Sequence, residues 1–207
     1  MKYFIICLIL LSALSAQTIY QVSPNTFGNE ITLTVANESQ TTDAEQVNVK
    51  LIRHNDAVKF EQETKLLKLV SIGGEKDAKF VFDIMRNAPV NQRDTLKFLI
   101  QDANGETWTK EIILEFMPPA SFALEQNFPN PFNPITTIQY QLAEDTDVLI
   151  QVYNIQGRKV KTLVDKSQPA GYYDYRFNAS GLASGVYFYQ LRTRSGYSKT
   201  KKLVIVK

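Results

Sequence analysis

Along most of this chain the apolar residues fall at every second position, and that period of two narrows the fold more than any other feature. Ile31, Leu33 and Val35 alternate with Thr32 and Thr34, and Val47, Val49 and Leu51 with Asn48 and Lys50. Phe80, Phe82 and Ile84 repeat the pattern, as do Leu96, Phe98 and Ile100. A last run sets Trp108, Ile112, Leu114 and Phe116 opposite Glu111 and Glu115. Successive strand residues point to opposite faces, so such runs are strands with one face buried. Turn signals separate them at Pro24-Asn25, Asn37 to Thr42, Gly73-Gly74 and Asp102-Ala103-Asn104-Gly105. Asn104-Gly105 predicts a tight hairpin with φ > 0 at both positions. Val58 to Val70 carries enough Lys, Glu and Leu for a short helix, but its closure against the Gly-Gly turn favours loop plus strand. Residues 17–116 thus give about seven short strands and predict an antiparallel, Ig-like sandwich.

Met117-Pro118-Pro119-Ala120-Ser121 then interrupts the pattern. A Pro-Pro pair is stiff and cannot join a ladder, so 117–121 reads as a semi-rigid linker between two domains. Beyond it comes Asn127-Phe128-Pro129-Asn130-Pro131-Phe132-Asn133-Pro134, where three prolines fix φ, remove donors and push their predecessors toward extended backbone. This segment is a stiff lead-in, neither helix nor central strand. Alternation resumes with Ile138, Tyr140 and Leu142, and continues through Val148 to Asn154, Val160 to Val164, Tyr173 to Phe177, Gly185 to Leu191 and Lys201 to Lys207. The fold expected for the whole is therefore all-β: two antiparallel Ig-like β-sandwich domains in tandem, 17–116 and 122–207, after a signal peptide.

The signal peptide is residues 1–16. Lys2 supplies a positive start, and Tyr3 to Leu14 form an apolar run too short to span a membrane comfortably. Small residues follow at Ser12, Ala13, Ser15 and Ala16, with cleavage expected after Ala16. The sole cysteine, Cys7, lies inside that run, so the processed chain has neither thiol nor disulfide. A net charge of +2 offers no cationic field for nucleic acid, and 44% apolar with 21% charged residues suits a packed core.

The C-terminal residues carry a family resemblance. The Pro129-Asn130-Pro131 opening, Val152-Tyr153-Asn154-Ile155-Gln156-Gly157, Leu182-Ala183-Ser184-Gly185-Val186-Tyr187 and the Lys-rich final strand occur in that order. Together they resemble the type A C-terminal sorting domain of the bacterial type IX secretion system. The stretch is also similar to the Ig-like domain of the flagellar hook-capping protein, which leaves a hook-cap-like structural subunit as a further reading; the signal peptide and the Bacteroidetes-type motifs weigh against it. The resemblance implies passage across the inner membrane by the signal peptide, then outer-membrane export directed by a folded tail. It implies as partners the type IX machinery, a sortase-like protease cutting near Pro118 to Ser121, and surface lipopolysaccharide as the attachment point, unless the product is released. Carried onto this chain, the sorting motif is Pro129, Asn130, Pro131, Gly157, Gly185, Tyr187 and Lys202. The glycines also suit turns needing positive φ, and Tyr187 suits the core. Residues 17–116 resemble the Ig-like modules of secreted bacterial enzymes, with turns at Asn37-Glu38-Ser39 and before Phe80.

Catalytic chemistry has few candidates. His54 is the only histidine, and one histidine cannot build a zinc site; it reads as a solvated turn residue. No Gly-x-Ser-x-Gly elbow occurs. Glu144-Asp145-Thr146-Asp147 could offer oxygens to Ca²⁺, and Asp102 to Glu106 likewise, but both read better as solvated loops. Tyr172 and Phe188 fall on the outward parity of their strands and allow a sugar-stacking face. No cofactor, metal or catalytic residue is expected, and residues 17–116 read as adhesive or spacer cargo. The alternative is a small hydrolase or carbohydrate-binding protein using carboxylates or aromatics of that half.

Overall fold

The computed structural model describes residues 4–9 and 19–207. Ala16 and its cleavage site lie outside them. Among the described residues there is no helix, and hence none long and apolar enough to cross a membrane. The chain divides into two compact units at the Met117–Pro118 bond.

The first unit holds two sheets. One runs β1-β3-β7-β5, from Phe4–Ile9, Thr26–Ala36, Glu75–Ile84 and Val58–Phe60. The other runs β2-β9-β8-β4-β6, from Ile19–Val22, Thr107–Phe116, Arg93–Gln101, Ala44–Arg53 and Thr64–Val70. The alternation sets the register: Ile31, Leu33, Phe80, Phe82, Leu96, Phe98, Ile112 and Leu114 meet in one core, each almost fully buried. Val58 to Val70 is strand, loop, strand. Pairing is antiparallel throughout except at two edges, where β1 lies parallel to β3 and β2 parallel to β9. The Asp102–Glu106 turn departs from a tight hairpin. Only Gly105 has positive φ, at 85°, because the Asp102 carboxylate accepts the Asn104 and Glu106 amides and holds a wider loop.

The second unit is a smaller sandwich. Its three-stranded sheet runs β10-β11-β14, from Ala123–Leu124, Ile135–Leu142 and Gly171–Asn178. Its four-stranded sheet runs β13-β12-β15-β16, from Lys159–Gln168, Thr146–Asn154, Gly185–Thr193 and Ser198–Ile205. Ile138, Tyr140, Ile150, Val152, Phe177, Tyr189, Leu191 and Leu203 fill the space between. Tyr140 and Tyr189 bury their rings, and burial pushes both phenols up to about 12. Each keeps a partner for its hydroxyl: Tyr140 donates to Gln168 Oε1 at 2.9 Å and Tyr189 to the Glu125 carbonyl at 2.6 Å.

Candidate functional site

The proline-rich segment is not a free lead-in: it is laced to both sheets of the second unit. Proline removes a donor, but Phe128 before the first proline and Phe132 after the second keep theirs. Phe128 exchanges backbone bonds with Thr137 of β11, and Phe132 donates to the Val204 carbonyl while accepting from the Val206 amide. Asn130 supplies what Pro131 cannot. Its side-chain oxygen accepts the Val204 amide at 2.9 Å and its Nδ2 donates to the Lys202 carbonyl at 3.4 Å, so the amide acts as a length of extra strand on the β16 edge. Gln126 Nε2 donates to the same carbonyl at 2.7 Å. The open edge of the last strand, where a lysine-rich sequence serves as edge protection, is thus covered from Lys202 to Val206 by the proline segment.

Asn127 anchors the other side. It is buried, its Nδ2 donates to the Pro129 carbonyl and Thr136 Oγ1, and its amide donates to the Tyr189 hydroxyl at 2.8 Å. Thr136 donates in turn to the Pro129 carbonyl at 2.8 Å. Asn127, Thr136 and Tyr189 escape the sequence reading, although an Asn two positions before a proline is a visible signal for such a lock.

Register brings the expected motif residues to one end of the four-stranded sheet. Asn130 bonds Lys202 and Val204; Leu203 pairs with Tyr187, and Tyr187 with Asn154. Asn154 starts the turn that holds Gly157, whose amide donates to the Asn154 carbonyl at φ 75°. Gly185 pairs with Ile205, which bridges to Phe132. Asn130, Gly157, Gly185, Tyr187 and Lys202 therefore gather at one end of the four-stranded sheet, with Pro129 and Pro131 flanking Asn130, though these stretches are far apart in sequence. Tyr187 is half-buried at the core margin, with its hydroxyl donating to the Ala183 carbonyl at 3.1 Å.

The candidates for chemistry find structural employment. His54 is half-buried, 5.7 Å edge-on from Phe60 and 3.5 Å from Glu63, rather than solvated. Around a hollow of about 560 Å³ in the second unit, Asp145 accepts the Ala170 amide, and Asp147 bonds Ser167 and pairs with Arg194. In the first unit Asp43 accepts the Ile72 amide beside a hollow of about 430 Å³ that Trp108 also lines. Among the described residues no three His, Cys, Asp or Glu side chains converge as metal ligands.

Among the described residues the chain is all-β, and the first residues of its second sandwich are laced over its last strand. Residues 126–206 match the secretion system C-terminal sorting domain family, which marks the second unit as a sorting domain of the type IX kind and implies export to the outer cell surface or the medium. No curated protein matches the chain. Among solved structures it is similar to dimeric latent PorU from Porphyromonas gingivalis, at 14% identity and TM-score 0.34 over 94% of this chain and 19% of that one. It is also similar to the E. coli chaperone DraB, at 13% identity and TM-score 0.34 over 98% of each chain. The Pseudomonas aeruginosa CupB2 chaperone gives 12% and 0.31 over 93% of this chain and 98% of that one. The chain spans about a fifth of the length of PorU. Likeness at these scores carries no functional weight.

Proposed function

We propose that this is a non-enzymatic secreted or surface protein, with residues 17–116 as an adhesive or spacer module and the second unit as its folded export address. Residues 1–16 act as a signal peptide removed after Ala16, which takes β1 off the edge of the sheet where it pairs with β3. The type IX machinery then reads the second unit, a sortase-like protease cuts near Pro118 to Ser121, and the product is joined to surface lipopolysaccharide or released.

The observation that carries this reading is the gathering of Pro129, Asn130, Pro131, Gly157, Gly185, Tyr187 and Lys202 at one sheet end, inside the segment that matches the sorting family. A surface assembled from four distant stretches exists only in the folded domain, which is what a folded signal requires. The non-enzymatic half of the reading is supported by Asp43, Asp102, Asp145 and Asp147, whose carboxylates are taken up by backbone amides or side chains of their own or neighbouring segments.

Deleting Phe122 to Lys207 tests the address. The truncated chain should accumulate in the periplasm, seen by fractionation and immunoblot. Arrival of the truncated chain at the surface or in the medium at the normal level would overturn it. Mass spectrometry of the exported product's two ends reads both cleavage sites directly.

A further inference from the structure

The outer face of the four-stranded sheet in the second unit has an order that the fold does not require. Cross-strand register sets Lys159, Tyr153, Phe188 and Lys202 in one row across all four strands. The next row is Thr162, Gln151, Gln190 and Thr200. Arg192 faces Leu149 in the row beyond, with Asp165 on its far side. Phe188 is 36% exposed, Val186 39% and Ile155 69%, and a hollow of about 320 Å³ lies against Tyr153, Ile155 and Phe188. The polar groups are already fixed. Tyr153 donates to Gln151 Oε1 at 2.8 Å and accepts from Arg192 Nη2 at 3.0 Å, while Arg192 Nε donates to Gln190 Oε1 at 2.8 Å. Preorganised side chains lose little entropy when a partner arrives.

The other sheet shows what an unspecialised face of this domain looks like. There Thr137, Gln139 and Gln141 stand opposite Arg176, Asp174 and Tyr172, with Gln139 bonded to Asp174. That face carries Phe128 at one corner, bridged to Thr137 and 81% exposed, but no aromatic pair joins two of its strands and its two charges offset.

We propose that the Tyr153–Phe188 face is where a protein of the export machinery docks, through an apolar surface bordered by carboxylates. Charge selects the partner: Asp147 is paired with Arg194, so Lys159, Lys202 and Arg192 outnumber the remaining Asp165 on the face, and no carboxylate lies in the aromatic row. Four strands at ~4.8 Å spacing and nine residues at ~3.4 Å each make the face about 14 Å by 30 Å. An area near 400 Å² is about half of a stable interface's share per partner and suits recognition that must be released after export. The face also shares its end of the sheet with the seven motif residues. This inference rests on the sorting reading above.

The test uses the full chain in the cells that make it. Lys159→Glu with Lys202→Glu should lower the exported fraction about tenfold with the thermal midpoint of the purified chain unchanged, and Phe188→Ser should do so in a chain that still unfolds cooperatively. Arg176→Glu on the other face should export normally. A photo-crosslinking residue at position 188 should join the chain to an export-machinery subunit, a readout that does not depend on variant stability. Normal export of both face variants, or crosslinking only to a second copy or to glycan, overturns the inference. If the face variants export normally while the 122–207 deletion does not, the address stands and only the face falls. If the deletion exports normally too, the sorting reading itself has failed.

Discussion

The Tyr189 hydroxyl donates to the Glu125 carbonyl and accepts the Asn127 amide, so one buried atom satisfies two backbone groups of the segment leading into the prolines. Tyr189→Phe removes that atom and leaves a buried amide without a partner, which costs about 1–3 kcal/mol. The expected result is a lower urea midpoint for the second unit at an unchanged m-value, since the core volume is kept. Small polar side chains do comparable work elsewhere. Asn37, Asn55, Asn154 and Asn178 each accept the amide two residues on, which closes a turn without requiring positive φ. Asn37 and Asn178 belong to Asn-x-Ser triplets whose serine supplies that amide, so the triplets mark turns here.

At the scale of elements, β14 and β15 begin alike. Gly171 and Gly185 open them at φ 152° and 151°, a tyrosine follows two positions later with its ring against the glycine, and its hydroxyl donates four residues back, to Pro169 and Ala183. A side chain at that φ is strained, so Gly185→Ala should destabilise the second unit by about 1–2 kcal/mol. Gly181 has no positive φ and open space around it, and Gly181→Ala should stay within about 0.5 kcal/mol of the parent or gain slightly. Differential scanning calorimetry of the two variants checks the contrast. The strands themselves were legible, because burial on one face imposes period two on any sequence that keeps it. The breaks were less so. Asn104-Gly105 has the dipeptide of a tight hairpin, yet the Asp102 carboxylate captures the loop first. The proline segment reads as a plain spacer because alternation says nothing about Phe128 and Phe132. Its partners, Thr137 and Val204, lie on strands brought close only by folding. The candidate site was named residue by residue through a family pattern, while its contiguity is a product of register, which no single motif encodes.

At the scale of the molecule, the two cores are separate sets of side chains, one drawn from residues 22–116 and one from 124–205. Their responses to alkali should differ. The two phenols pushed up to about 12, Tyr140 and Tyr189, both belong to the second core. A phenol whose pKa is higher folded than unfolded binds its proton more tightly in the fold. Its contribution is complete below the ordinary value of 10.0 and drains away as pH climbs from there to about 12. Two such groups drain in the same window, so the second unit should lose stability steeply above pH 10, releasing about two more protons on unfolding than its exposed tyrosines account for. The probes separate themselves. Trp108 is the only tryptophan and lies in the first unit, so its fluorescence follows that unit, while tyrosinate absorbance near 295 nm follows the second. Between pH 9 and pH 11.5 the absorbance-detected urea midpoint should fall well before the fluorescence-detected one. Midpoints that move together across that range would mean that the buried phenols do not set the alkaline limit of the sorting domain.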